Sequence, residues 1–177
     1  MIRKRNAALL FLMSALLATT NNELQADVLR MGPDLKSLRF VFVGDEGNPA
    51  DFDPMAEQPD PGYGSVGYAY RIGKYEVTTA QYTEFLNAVA KTDTFGLYHP
   101  DMWNDPYGCK IERTGVNGAY VYEVSPDRAE RPVNFVNFWD SLRFANWLHN
   151  GQPMGTQNIN TTERGAYTLT FVESVGR

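Results

Sequence analysis

The side chains that most readily do chemistry are few: one cysteine, Cys109, two histidines, His99 and His149, and carboxylates spread along 177 residues. A non-haem iron facial triad needs two histidines and a carboxylate on one side of the metal, so it would take both histidines with Asp101 or Asp140. Their spacing does not suggest it. His149 falls in the last turn of a predicted helix, where the negative helix end favours an imidazolium, and that explains it adequately. Asp140 and Glu76 stand beside two predicted helix starts and read as buried acids; general acid or base work is the chemical reading, and stabilisation of a helix N-terminus is the stronger one. Cys109 has three readings, pairing with another chain, reaction or burial, and its neighbours Trp103, Tyr107 and Gly108 favour burial as a small hydrophobe. A lone cysteine makes no intrachain disulfide. Asp45, Glu46, Asp51, Asp53, Glu57 and Asp60 crowd a turn-rich stretch, but without the register of an EF-hand they read as a solvated acidic loop. No nucleophile elbow, P-loop or zinc signature is present.

Two segments would have to position whatever chemistry exists. In Tyr68 to Ala90, Thr78 lies three residues before Gln81, a capping box that starts a helix. Tyr82, Phe85, Leu86 and Val89 then share one helical face, which predicts burial. In Arg131 to Gly151, Pro132 to Val136 reads as a short strand, and Asn137 with Asp140 starts a second helix. Leu142, Ala145 and Leu148 are its expected inner stripe, widened by Phe138, Trp139, Phe144 and Trp147, with Gly151 as the left-handed stop. Aligned on their caps, the segments share little beyond Val77 with Val136, Phe85 with Phe144 and Asn87 with Asn146, so they are similar solutions rather than a repeat. Arg39 to Val43 and Val66 to Val77 read as strands, the latter with Tyr68, Tyr70 and Ile72 alternating half-buried. Ile111 to Arg113 and Ala119 to Val124 flank Gly115-Val116-Asn117-Gly118 and predict a hairpin. Lys91 to Cys109 is irregular, and Gln157 to Glu163 is polar and expected to be exposed. Within it, Asn160-Thr161-Thr162 is a glycosylation sequon that means little if the N-terminal signal is of the bacterial kind it resembles.

The string Lys74-Tyr75-Glu76-Val77-Thr78-Thr79-Ala80-Gln81-Tyr82-Thr83-Glu84-Phe85, with Arg131-Pro132-Val133-Asn134-Phe135-Val136 and Trp139-Asp140-Ser141-Leu142-Arg143-Phe144-Ala145-Asn146-Trp147-Leu148, resembles the sulfatase-modifying factor family. That family includes the formylglycine-generating enzymes and the ergothioneine-pathway sulfoxide synthases. The resemblance runs from about Phe40 to Tyr167. It implies an α+β fold, a C-type-lectin-like variant with two helices packed on irregular antiparallel sheet, here with its C-terminal part missing. Intact catalytic relatives oxidise a protein cysteine to formylglycine with copper and oxygen, using a cysteine pair near the end of the domain beside an Arg-Gly-Gly-Ser-Trp-like segment. This chain has neither. Cu(I) is gripped by soft thiolates, and one cysteine offers only one. Many relatives also carry a cysteine where this chain has Ala145. The iron of the sulfoxide synthases sits in a separate His-rich domain that is absent here.

No catalytic, cofactor-binding or metal-binding residue is therefore assigned, and no cofactor is expected in this chain. Composition supports a packed core, with 43% hydrophobic and 13% aromatic residues. Arg3, Lys4 and Arg5 before an apolar run from Ala7 to Ala18, with Leu24-Gln25-Ala26 as the cut point, have the layout of a secretory signal. The expectation is a signal peptide over residues 1–26, a partial domain over 27–177 and an exported product, periplasmic or extracellular. Cleavage would remove three of the 16 basic and one of the 21 acidic side chains, taking the net charge from −5 to −7. So acidic a chain is a poor partner for nucleic acid or anionic membrane. Two functions compete: a degenerate domain of the oxidase type, inactive alone, and a non-catalytic lectin-like module presenting Tyr98, Trp103 and Tyr107 to a glycan or protein. An incomplete domain would also expose apolar surface and self-associate.

Overall fold

The computed structural model describes residues 28–29, 37–51 and 63–169. The expected signal segment, Asp53, Glu57, Asp60 and residues 170–177 lie outside this description. Within it the architecture is α+β, with helices and two small antiparallel sheets. Strands β1 (Val28–Leu29), β2 (Leu38–Val43) and β3 (Tyr70–Gly73) form one sheet in that order, with Val41 opposite Ile72. Helix α1 (Thr79–Val89) follows, then the short α2 (Asp101–Asn104), a hairpin of β4 (Ile111–Thr114) and β5 (Val121–Val124), and α3 (Phe138–His149).

Helix α1 begins where a side chain can replace the missing turn. The Gln81 amide donates to Thr78 Oγ1 (3.3 Å) and the Thr78 amide donates to Gln81 Oε1 (2.9 Å), the reciprocal bonds of a capping box. Tyr82, Phe85, Leu86 and Val89 are all buried, each burial of this kind being worth about 1.5–3 kcal/mol. They meet α3 through Phe144 and Trp147: Phe85 lies edge-on to Phe144 at 5.3 Å and 5.2 Å from Trp147. The hairpin closes the core from the other side. Asn87 donates to the Tyr122 carbonyl (2.8 Å) and accepts from its amide (3.0 Å), so one side chain brackets a whole peptide of β5. Three buried tyrosine hydroxyls reach carbonyls of Leu97, Ile111 and Ala90, satisfying the one polar atom each carries inward.

Helix α3 carries a second capping box, with Asp140 N to Asn137 Oδ1 at 3.0 Å and Asn137 N to Asp140 Oδ2 at 3.2 Å. It ends in a Schellman motif: the Gly151 amide donates to the Leu148 carbonyl and the Gln152 amide to the Trp147 carbonyl, with Gly151 at φ 81°.

Several expectations are corrected here. The inner face of α3 is not Leu142, Ala145 and Leu148, which are only half-buried; it is Asp140, Arg143, Phe144, Asn146 and Trp147, with Phe138 68% exposed. The stripe is displaced because Arg143 and Asn146 find buried polar partners, and burial of apolar residues alone did not set it. Pro132 to Val136 is not a strand: it makes one bridge, Pro132 to Thr78, and Phe135 turns the chain at φ 58°. The strand expected over Val66 to Val77 shrinks to β3, and Tyr68 and Ile72 face outward. Residues 157–163 are not a solvated stretch, since Gln157, Thr161, Thr162 and Glu163 are buried. Glu76 is exposed rather than buried. Helix α2 lies in the stretch read as irregular.

Candidate functional site

Three places gather polar side chains. One cavity, of about 790 Å³, lies between β2, the turn leading into α1 and the segment around Pro132. Its walls carry two cations, Arg39 and Lys74, and two acids, Glu76 and Glu130, above Thr78 and Gln81 of the first capping box. The Lys74 amide donates to the Arg39 carbonyl at 2.7 Å and its ammonium sits 5.5 Å from the Tyr75 ring, so this rim is organised by the β2 to α1 connection. Neither a thiol nor an imidazole lines the cavity. Its walls thus present charge of both signs to a polar ligand.

The second place surrounds Cys109. The chain turns sharply here because Gly108 packs against the carbonyls of Asp101 and Met102, where a Cβ would collide. Cys109 is 4% exposed, and its thiol points at the Asn134 carbonyl with sulfur and oxygen 3.9 Å apart. Burial pushes the thiol pKa up, so the neutral form is favoured over the nucleophilic thiolate. His99 stacks nearly parallel on Phe135 at 5.6 Å, and its Nδ1 accepts from the Asp101 amide at 3.2 Å. Asp101 does lie beside His99, with carboxylate and ring nitrogen 3.6 Å apart. His149 is on the exposed last turn of α3, and Asp140 is spent on the cap. Among the described residues no three of His, Cys, Asp and Glu converge to hold a metal.

The third place is a buried polar clamp that sequence reasoning missed. Arg143 is 1% exposed at its side chain and meets Glu163 in a bidentate pair, Nε to Oε1 at 2.8 Å and Nη2 to Oε2 at 3.1 Å. Its guanidinium carbon lies 4.4 Å from the centre of the Phe95 ring, and the Thr162 hydroxyl donates to Glu163 Oε1. Asn146 donates to the Thr162 carbonyl and accepts from the Tyr167 amide, both at 2.8 Å. Gln157 accepts from the Phe95 amide and donates to Asp93 at 3.4 Å. Asp93 in turn accepts from the Leu97 and Tyr98 amides and pairs with Arg113, which is sandwiched between the rings of Tyr98 and Tyr120. Burial raises the Asp93 pKa, outweighing those hydrogen bonds and the nearby Arg113 charge. The polar groups named here bond to one another and to backbone, so the clamp holds loops together. Its one local signal was Arg143 flanked by Leu142 and Phe144.

The family model for the sulfatase-modifying factor enzyme 1-like domain matches residues 47–170. The chain belongs to this family. No curated protein and no solved structure matched the sequence. The matched span of this sulfatase-modifying factor domain takes in α1, α2, α3, the hairpin and the clamp, whereas β1 and β2 precede it.

A copper site of the kind the resemblance implies would need two thiols, a requirement the residues present do not meet. Cu(I) asks for soft sulfur ligands held close together. Cys109 is the sole cysteine of the 177 residues, and its sulfur faces a backbone carbonyl.

Proposed function

We propose that this chain is a sulfatase-modifying-factor-like domain that keeps the scaffold of the family and does not itself oxidise cysteine. The observation that carries the reading is Cys109: one buried thiol, its pKa pushed up by burial, inside a matched family span with no second thiol to share a metal. The resembled enzymes turn a protein cysteine into formylglycine with copper and oxygen, a reaction that begins with two thiolates on one ion. Export is the further part of the reading, supported by the basic and apolar order of residues 3–18 and the small residue Ala26.

The test mixes the purified chain with Cu(I) held by a coloured chelator, then adds a cysteine-bearing peptide in air. The expected result is that the chelator keeps its copper and the peptide keeps its thiol. Withdrawal of one copper per chain together with aldehyde formation on the peptide would overturn the proposal. Mass spectrometry of the secreted product tests export, with a new N-terminus at Asp27 expected and an intact Met1 counting against it.

A second reading, a lectin-like module binding a glycan or protein, is favoured by one observation. Trp103 and Tyr107 are 38% and 84% exposed beside one tight turn, which Lys110 pins by donating to the Trp103 and Asp105 carbonyls. Tyr98 does not join them: it is buried, with its hydroxyl on the Ile111 carbonyl. A glycan array probed with the chain and with Tyr107→Ala separates the readings, since binding that the substitution abolishes supports the module and absence of binding removes it.

A further inference from the structure

Asparagine followed by glycine is the dipeptide most prone to spontaneous cyclisation, because glycine leaves its amide nitrogen open to attack the asparagine side chain. The chain contains two such pairs, Asn117-Gly118 and Asn150-Gly151, and the fold treats them oppositely. Asn150 is locked. Its side-chain amide donates to the Thr161 carbonyl (3.1 Å) and the Arg164 carbonyl (2.7 Å), while the Gly151 amide donates to the Leu148 carbonyl (3.1 Å) within the Schellman motif. Cyclisation there would have to break all three bonds and the end of α3. Asn117 lies at the exposed tip of the β4–β5 hairpin, and its side chain makes no hydrogen bond among the described residues. Only one restraint acts on the reacting atoms: the Gly118 amide donates to the Lys91 carbonyl just beyond α1, at 2.9 Å. The Tyr120 amide shares that acceptor at 3.2 Å, so a single peptide oxygen ties the hairpin tip to the helix.

We propose that Asn117 is a site of self-modification in the folded protein, latched by the Lys91 carbonyl, whereas Asn150 is protected by the fold. When the tip lifts, the freed Gly118 nitrogen loses its proton to solvent and bonds to Asn117 Cγ. The Cγ–Nδ2 bond breaks and ammonia leaves, giving a succinimide. Water opens the ring at either carbonyl, so one amide becomes one carboxylate, as aspartate or isoaspartate, with no oxidant or reductant. The product adds a negative charge to an already acidic chain and, as isoaspartate, lengthens the hairpin turn by one backbone atom. The reaction rate then reports how often this tip leaves the helix, a local opening rather than global unfolding.

Incubation of the whole chain at mildly alkaline pH, sampled by peptide mapping with separation of aspartate from isoaspartate, tests the proposal. A parallel sample in urea removes both environments. In the folded sample Asn117 is expected to convert at least about tenfold faster than Asn150, the ratio that about 1.4 kcal/mol of extra opening free energy produces. In urea the two rates should converge. Equal rates in the folded sample, or Asn117 intact there while the urea sample converts, would overturn it.

Discussion

Helices α1 and α3 open alike and then diverge. Each starts on a capping box, each places a core phenylalanine seven residues after the cap (Phe85, Phe144), and each places an asparagine nine residues after it (Asn87, Asn146). Both asparagines use the two ends of the amide to bind backbone, Asn87 one peptide of β5 and Asn146 the segment from Thr162 to Tyr167. The buried faces nevertheless differ. Helix α1 buries an apolar stripe at the fourth, seventh, eighth and eleventh positions after its cap, whereas α3 buries the third, sixth, seventh, ninth and tenth. Against that apolar stripe alone, leaving aside Thr79, Ala80, Gln81 and Thr83, which α1 also buries in its first turns, the buried face of α3 is turned by about one residue, roughly 100° of helix. The difference teaches that a shared local design sets where a helix begins, and the residues that arrive from elsewhere set which side it turns inward.

The polar half of α3 is where the comparison breaks most easily. Glu163→Ala leaves the Arg143 charge buried without its partner, and a loss of about 3–5 kcal/mol is expected in urea unfolding. A loss below 1 kcal/mol, in the range of an exposed pair, would mean that the clamp is solvated. Phe85→Ala and Phe144→Ala probe the half that the helices share, and each should cost about 3–5 kcal/mol. The double variant should fall short of their sum by about 0.5–1.5 kcal/mol, because the rings meet edge to face. Full additivity in the same titration would argue that they do not touch.

Smaller effects sharpen the parallel. Asn87→Ala and Asn146→Ala should each cost about 1–3 kcal/mol by exposing the same kind of orphaned backbone group, and unequal costs would rank the hairpin against the tail of the fold. Thr78→Ala and Asn137→Ala should each cost about 1 kcal/mol, read as a lower unfolding midpoint. The smallest effect is in pH. Burial raises the Asp93 pKa from 3.8, so the folded state holds that proton more tightly than the unfolded chain does. Asp93 therefore contributes most to stability below its unfolded pKa, and the contribution is lost as pH rises through the folded value. Subtracting the stability profile of Asp93→Asn from that of the native chain should leave a curve that falls with pH across that window. A rising difference would contradict the burial.

What could be read beforehand was whatever a few neighbouring residues decide. Both caps, the starts of α1 and α3, the Gly151 stop, the inward stripe of α1 and the hairpin around Gly115 to Gly118 are local in this sense, and all are legible. The paired motifs at their separation also carried the family. The site was less legible. The polar or loop-like composition around Tyr98 and over residues 157–163 points outward, yet their hydroxyl, amide and carboxylate groups are satisfied inside. The place of Glu76 before a helix points inward, whereas the side chain faces solvent.

By itself, then, the sequence determined the helix starts and stops, the turn chemistry, the single thiol and the family, because capping, periodicity and composition act over one or two turns of chain. The tertiary structure alone decided which face of α3 is inside, that Arg143 meets Glu163 twenty residues on, that Gln157 reaches back to Phe95, and that Cys109 is sealed against Asn134. A buried polar group is stable only when its partner is in place, and those partners come from distant parts of the chain that no local pattern encodes.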